Sequence, residues 1–473
     1  MRTLCLFVAA ASLYVAATGA TAQTVGAADK AERLPPPAET PAVPSPTDEQ
    51  QRPPGEETID EAAIEAEIAA QELSGEAQVR LDAARASVVQ IQGFFEGSES
   101  SAFHGSGFAV EDGRRIVTNY HVVAQAVLYP QQYRLKYLAS DGREGPLHVL
   151  AIDVRNDLAV VAADDLELPP LKLRPDIPAQ GERAWSIGFP LNLGLTITEG
   201  VANGLVENRI QQRIHYTGAI NGGMSGGPAL DRRGRVYGVN VSVVTNKQLV
   251  GFIVPAAHIP GLLAQAKEPL EKKFSALQLR QNVTAQVLAY ESDVLEADPS
   301  GVATQSVRGF VLPTEITPYV ECSTFDDRGP HVRVRVEVIS CRVPSQLSVQ
   351  SGVPVAGLSI QHRIVRSAGL HPLQFERQVN EVAAQTPRLG LPAHVAPFAC
   401  HDGLVSLDGF DARISTCVRQ YRLFADLYDF SVTVVSIDDE SQALVSRLSL
   451  QGVAFASGER IAKRYLGALQ WKP

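Results

Sequence analysis

Short apolar runs separated by turn residues dominate the chain over residues 84–260. Residues 87–92 (SVVQIQ) are typical of a strand, and turn signals such as 111–113 (EDG) and 231–234 (DRRG) recur at short intervals. Long helical periodicity is almost absent here, which favours an all-β sandwich or barrel. A short helical stretch would close this region, so the pattern predicts a mainly β domain over residues 84–273.

The last third of the chain also alternates between apolar and polar residues. Four valines over 332–338 alternate with charged residues, as expected of a strand with one solvent-facing side. Similar runs occur over 430–437 and 443–450, and 458–469 has the pattern of a terminal helix. We expect residues 274–473 to form a second β-rich domain.

The first 22 residues have the features of an export signal. Arg2 is followed by an apolar stretch over 4–17, and residues 20–22 (ATA) fit the small-residue cleavage rule. The alternative is a membrane anchor, but this stretch is short for a bilayer and no other stretch reaches ~18 apolar residues. We therefore expect residues 1–22 to be a cleaved signal peptide. The mature protein should have no stable membrane span and be exported, either to the periplasm or to the medium.

Two further segments precede the β domain. Residues 23–57 are rich in Pro, Ala and Glu, which predicts a disordered tether. The capping-box pattern over 58–61 (TIDE) predicts a helix over 58–75. Between residues 23 and 75 there are 12 acidic and 3 basic residues, a net of −9 out of −10 for the whole chain. The rest is nearly neutral, so no basic face is expected to bind nucleic acid.

Four cysteines lie beyond the predicted signal peptide, all in the last third of the chain: Cys322, Cys341, Cys400 and Cys417. An even number in an exported chain predicts two disulfides, for which three connectivities exist. Four buried free thiols are the alternative, and a zinc site is disfavoured because no close Cys-x-x-Cys pair occurs. Local pairing, Cys322 with Cys341 and Cys400 with Cys417, is the simplest hypothesis.

Three short segments contain residue types suited to acyl transfer. They are 116–123 (IVTNYHVV), 156–161 (NDLAVV) and 222–228 (GGMSGGP). Each has a plain structural explanation when taken alone: a packed histidine, a capping aspartate and a glycine-rich turn. Together they offer a base for a serine proton, a carboxylate that fixes the imidazole tautomer, and a tight turn whose N–H groups converge on one point.

Seven segments in register resemble the trypsin-like (chymotrypsin-fold) serine peptidases, most closely the HtrA/Deg type. They lie between residues 86 and 258: 105–108 (GSGF), 118–121 (TNYH), 157–159 (DLA), 187–190 (IGFP), 222–228, 238–240 (GVN) and 251–255 (GFIVP). The resemblance implies two six-stranded β-barrels with the catalytic triad in the cleft between them. His121 would be the general base, Asp157 its orienting partner and Ser225 the nucleophile. The N–H groups of Gly223 and Ser225 would form the oxyanion hole.

The sequence departs from that family in two places. No PDZ-like pattern is recognisable over 274–473, and Met224 stands where many relatives carry Asp or Asn before the nucleophile. Neither change affects the triad. The departures put in doubt only a chaperone-like role and PDZ-controlled assembly, and the oligomeric state stays open.

By the same resemblance, the primary substrate pocket would be lined by Ala219, Ile220, Asn240, Val241 and Ser242. None of them is a carboxylate, so a buried Arg or Lys side chain would have no counter-charge, which is costly. The sequence therefore predicts an exported serine endopeptidase that acts on protein or peptide substrates and prefers small or medium aliphatic P1 residues. We expect no cofactor and no metal. The alternative is a catalytically silent, protease-like binding scaffold of the cell envelope.

Overall fold

The computed structural model describes residues 75–190, 193–207, 210–243, 250–295, 301–327, 333–344, 347–384 and 393–472. The expected signal peptide (1–22), tether (23–57) and helix (58–75, apart from its last residue) lie outside the described residues. The first described element is helix α1 (Gly75–Arg85). In the described part of the chain, no helix is long and apolar enough to cross a membrane.

Six antiparallel strands close a first β-barrel in the order β1-β2-β3-β6-β5-β4. The strands are β1 (Val88–Phe95), β2 (Ser101–Val110), β3 (Arg115–Thr118), β4 (Tyr133–Ala139), β5 (Glu144–Asp153) and β6 (Leu158–Ala162). Helix α2 (Tyr120–Leu128) follows β3 and packs on the outside of the barrel. The strand expected from residues 87–92 is confirmed as β1, whose Val88, Val89 and Ile91 are buried.

A second closed barrel follows, in the order β10-β11-β12-β9-β8-β7. Its strands are β7 (Glu182–Gly188), β8 (Thr196–Leu205), β9 (Ile214–Tyr216), β10 (Pro228–Leu230), β11 (Val236–Val243) and β12 (Gly251–Pro255). Short helices α3 (Ile259–Leu263) and α4 (Leu270–Lys273) come next, as the helical stretch had suggested. Val117 and Val160 of the first barrel share a buried cluster with Ile187 and Val239 of the second. The predicted double β-barrel is therefore confirmed.

The region after α4 begins with a long helix, α5 (Ala276–Leu295). Its strands are β13 (Ala303–Val307), β14 (Phe310–Glu315), β15 (Glu321–Asp327), β16 (Val334–Arg342), β17 (Leu347–Gln350), β18 (Val353–Val355), β19 (Gly357–Ser367), β20 (Ala399–Leu407), β21 (Phe410–Gln420), β22 (Tyr428–Ser436), β23 (Gln442–Val453) and β24 (Gln470–Trp471). Two more helices complete it, α6 (Pro372–Ala384) and α7 (Phe455–Gly467). The expected β-rich character is confirmed, and the three expected strands correspond to β16, β22 and β23.

The centre of this region is a seven-stranded antiparallel sheet in the order β15-β16-β19-β23-β22-β21-β20. Helix α6 packs on one face against Val435 and Val445, and α7 contacts β22 and β23 through the other face. Smaller sheets, β13-β14-β24 and the hairpin β17-β18, lie beside it. The sheet alternates buried residues toward both helices, as expected of strands covered on two faces.

Each disulfide ties an outermost strand of the sheet to its neighbour. Cys322 of β15 pairs with Cys341 of β16, and Cys400 of β20 pairs with Cys417 of β21. In both cases the two cysteines are direct partners in the strand register. The local pairing expected from the sequence is therefore confirmed. Strand β20 has no buried residue. The disulfide to β21 therefore constrains this strand where buried side chains do not.

The core of the first barrel continues into the C-terminal region without a break. Side chains from α2, from α5 and from the hairpin β17-β18 belong to one buried apolar cluster: Val123, Val127, Val283, Val287, Tyr290, Val349 and Val353 are among its members. On α5 the buried positions Leu279, Val283, Val287 and Tyr290 recur at helical spacing. The C-terminal region thus packs directly against the helix that follows β3.

Candidate active site

His121 is the second residue of α2, at the edge of the first barrel. Its Nδ1 lies 2.7 Å from Asp157 Oδ2, and its backbone N–H donates to Asp157 Oδ1 over 2.9 Å. Asp157 sits in the turn before β6 with φ +61°, a left-handed conformation that aspartate tolerates better than most residues. Because the carboxylate accepts at both oxygens, we assign the ring proton to Nδ1, which leaves Nε2 as a proton acceptor.

The environment of His121 strengthens its basicity. Burial lowers the pKa of the imidazole, but the charge of Asp157 and its hydrogen bond raise it, and the net effect is a pKa above the usual value. Asn119 fixes the backbone of Asp157, because its Nδ2 donates to the Asp157 carbonyl oxygen over 2.7 Å. The pair therefore has the geometry of a general base and its orienting carboxylate.

Ser225 follows a tight turn on the second barrel. Met224 N–H donates to Asn221 O over 3.0 Å, and Gly223, the third residue of this turn, has φ +95°. This combination defines a type II turn, which requires glycine or asparagine at that position. A Cβ on Gly223 would also lie 2.3 Å from Phe189 O. Glycine is therefore required here for both conformation and space.

The two expected oxyanion-hole residues are anchored by one residue, Ser106, through its side chain and its backbone N–H. Ser106 Oγ donates to Gly223 O over 2.7 Å and accepts from Phe189 N–H over 3.0 Å. Ser106 N–H donates to Ser225 O over 2.8 Å. Within the described residues, the N–H groups of Gly223 and Ser225 have no hydrogen-bond acceptor. They are available as a pair of donors for a developing oxyanion.

The Ser225 hydroxyl has its hydrogen-bond partner in the second barrel in this structure. Its Oγ donates to the carbonyl oxygen of Val241 in β11, over 2.9 Å. Within the described residues, no hydrogen bond joins Ser225 Oγ to His121 Nε2. Catalytic hydrogen bonds are often unformed in free enzymes and form only when substrate binds.

The expected pocket residues differ in their exposure to solvent. Ala219 is exposed, Ile220 and Val241 are buried, and nothing is described of the Ser242 side chain. Asn240 is fully buried, and its Nδ2 donates to Ile187 O over 3.1 Å and to Met224 O over 3.4 Å. Asn240 thus also holds the segment that carries Ser225, whereas the pocket itself remains a prediction.

Two of these positioning residues carry a sequence signal that could have identified them. Ser106 lies in the 105–108 (GSGF) segment and Asn119 directly precedes the helix of His121. Met224 is fully buried among Tyr216, Ile220 and Ile253, so its thioether packs in the core of the second barrel. In the described part of the chain, no cluster of three or more His, Cys, Asp or Glu side chains could hold a metal ion.

Residues 105–239 match the family model described as "Trypsin-like peptidase domain". The putative serine protease HhoB of Synechocystis sp. is 34% identical over 160 residues, which cover 32% of this chain and 37% of that protein. The probable periplasmic serine endoprotease DegP-like of Chlamydia trachomatis is 32% identical over 173 residues, covering 35% of this chain and 33% of that protein. The crystal structure of Deg5 is 28% identical, covers 42% of this chain and 100% of its own, and has a TM-score of 0.35. The chain spans less than half the length of these two curated relatives.

Proposed function

We propose that this protein is a serine endopeptidase. The proposal starts from its trypsin-like peptidase domain of the HtrA type. The observation that carries the proposal is the double contact between His121 and Asp157, at 2.7 and 2.9 Å. The anchored N–H groups of Gly223 and Ser225 supply the second requirement for acyl transfer.

In the proposed mechanism, Ser225 Oγ leaves Val241 O and donates its hydrogen bond to His121 Nε2. The imidazole takes the hydroxyl proton while Oγ bonds to the scissile carbonyl carbon, and the N–H groups of Gly223 and Ser225 bind the oxyanion. The protonated His121 then gives its proton to the leaving amine, which breaks the C–N bond and leaves an acyl-enzyme. His121 then takes a proton from water as the water oxygen bonds to the ester carbon. The C–Oγ bond breaks, the carboxylic acid product leaves, and His121 returns the proton to Ser225 Oγ.

The substrate class follows from the expected pocket. Ala219, Ile220, Asn240, Val241 and Ser242 include no carboxylate, and Ile220 and Val241 are apolar and buried. We propose that small or medium aliphatic P1 side chains are preferred. Peptides that differ only at P1, with Ala, Val, Arg or Lys, test this: the two aliphatic peptides should have the higher kcat/KM, and faster cleavage after Arg or Lys would contradict the assignment.

We place the protein outside the cytoplasm. Two disulfides in the C-terminal region are stable in an oxidising compartment and rare in the cytosol. The features of an export signal over residues 1–22 support the same location. Fractionation of expressing cells, with the N-terminus of the mature protein determined by mass spectrometry, tests both points. A mature chain that still begins at Met1 in the cytoplasm would contradict this location.

The proposed activity is tested by labelling with a fluorophosphonate probe and by hydrolysis of casein. Wild type should be labelled at Ser225 and should hydrolyse casein, whereas Ser225→Ala should do neither while it keeps its thermal unfolding transition. Ser323→Ala, at an exposed position of β15, is a matched control that should behave as wild type. Equal hydrolysis by wild type and Ser225→Ala would refute the assignment, and absence of both labelling and hydrolysis in wild type would favour the silent scaffold.

A further inference from the structure

Tyr120, the residue immediately before the proposed base, lies between the first barrel and the C-terminal region. It is the first residue of α2 and is only 1% exposed. Its hydroxyl donates to the carbonyl oxygen of Val349 in β17 over 2.8 Å, across 229 positions of sequence. A hydrogen bond therefore links the first turn of the helix that carries His121 to the hairpin β17-β18.

The other end of the same helix is also held from the C-terminal region. Arg280 of α5 donates through Nε to Leu128 O, at the last residue of α2, over 3.1 Å. Apolar side chains between the two ends of α2 belong to the cluster shared with α5 and the hairpin: Val122, Val123, Val127 and Leu128. The C-terminal region thus holds both ends of α2, in addition to the barrel strands on which the helix packs.

The hairpin is in turn fixed to the large sheet. Gly452 of β23 accepts a hydrogen bond from Ala356 N–H over 3.1 Å, and a Cβ on Gly452 would lie 2.5 Å from Val355 Cγ1. The hydroxyl of Tyr421 donates to Pro354 O of β18 over 3.0 Å. A continuous series of contacts therefore runs from the sheet through the hairpin to Tyr120.

We propose that Tyr120 is a positioning residue for catalysis, and that through it the C-terminal region helps to assemble the active site. The inference rests on the proposed function, because it concerns the alignment of His121 as a base. His121 Nδ1 and the backbone N–H of the same residue both contact Asp157. A small displacement of the first turn of α2 therefore moves the imidazole ring and weakens both contacts with Asp157. Such a displacement should lower kcat more than it changes KM.

Replacing Tyr120 by Phe tests the proposal, with Tyr465→Phe as its matched control. Each variant loses the hydrogen-bonded hydroxyl of a fully buried tyrosine. The partner of Tyr465 is Ser446 of β23, and of the two tyrosines only Tyr120 adjoins His121 and donates to the hairpin. We expect kcat of Tyr120→Phe on an Ala or Val peptide to fall about tenfold with KM within about twofold of wild type, the size expected of one hydrogen bond. Tyr465→Phe should keep the wild-type kcat, even if its melting temperature falls by as much as that of Tyr120→Phe.

A second measurement does not depend on turnover. The downfield proton NMR signal of His121 Nδ1–H, assigned by its loss in His121→Ala, should shift or broaden in Tyr120→Phe and stay in place in Tyr465→Phe. Equal loss of kcat in both variants, a change in KM alone, or an unchanged signal in Tyr120→Phe would overturn the proposal. If wild type is neither labelled at Ser225 nor active, the proposed function fails, and the NMR comparison still decides whether Tyr120 positions the ring.

Discussion

Replacing Ser106 by alanine would remove a single hydroxyl that holds two parts of the candidate active site together. Ser106 is fully buried, and its Oγ bridges Gly223 O at 2.7 Å and Phe189 N–H at 3.0 Å. Alanine keeps the backbone bond from residue 106 to Ser225 O, so the loss is confined to the hydroxyl. The substitution therefore tests how firmly the turn that presents the oxyanion donors is held.

The size of the effect follows from the groups that the substitution leaves unpaired. Phe189 N–H and Gly223 O would both lose a buried partner, and an unsatisfied buried group costs about 1–3 kcal/mol. We expect the free energy of unfolding to fall by about 2–4 kcal/mol. Loss of one oxyanion donor reduces kcat by about 10²–10³-fold in related chemistry. Since Gly223 N–H would be misaligned rather than removed, we expect kcat to fall by between about tenfold and about 10²-fold.

The assay measures kcat and KM on an aliphatic P1 peptide together with urea unfolding. Ser186→Ala is the matched control, because Ser186 is an equally buried serine whose Oγ has no hydrogen-bond partner within the described residues. The control should keep wild-type kcat and wild-type stability or better. A Ser106→Ala enzyme that loses stability but keeps its kcat would refute the reasoning, since the turn would then hold its conformation without the hydroxyl.

Three further predictions follow from other contacts. Asp157→Asn should lower kcat by about 10⁴-fold, because the imidazole would adopt the wrong tautomer. The acidic limb of its kcat/KM profile against pH should move to lower pH, because the charge that raises the His121 pKa is lost. His362 is buried, and its desolvation lowers its pKa to about 4 although the hydrogen bond to Pro313 O opposes this shift. The stability linked to neutral His362 is therefore complete above about pH 6.5 and is lost as the pH falls toward 4. This group alone should lower the free energy of unfolding by about 2 kcal/mol between pH 7 and pH 5, and His362→Gln should not show that part of the difference. A chain that begins at Gly75 should match the activity of the full mature chain on one peptide, and activity that appears only after cleavage would contradict this.

Motif spacing was sufficient to propose the candidate site, and to predict the contact of His121 with Asp157, because these residues are local signals in the chain. The segments around His121, Asp157 and Ser225 each have a sequence pattern typical of a strand end or a turn, and the double barrel brings those ends together. The cysteine pairs were also predictable, since each lies across one hairpin register. Features of this kind are determined by a few residues that are close in the sequence or joined by short loops, and a sequence pattern can therefore predict them.

Other features could not be read from the sequence for physical reasons. The contact between Tyr120 and Val349 spans 229 positions, so no local pattern encodes it. The Ser225 rotamer depends on which carbonyl is nearest in the folded state. Helix α5, in contrast, did carry a readable signal: Leu279, Val283 and Val287 recur at four-residue spacing and are buried.

The packing of Met224 explains why the tether should be dispensable for activity. In the digestive-type relatives, an aspartate at this position pairs with a new N-terminal ammonium, and this ion pair assembles the oxyanion hole. Met224 carries no charge and is fully buried in the core of the second barrel. The turn beside it is instead held by Ser106 Oγ and by Asn240 Nδ2, which belong to strands of the two barrels. Since both anchors form when the barrels fold, we expect activity without a new N-terminus. The contact of Tyr120 with the C-terminal hairpin is one route by which the folded chain can influence the site.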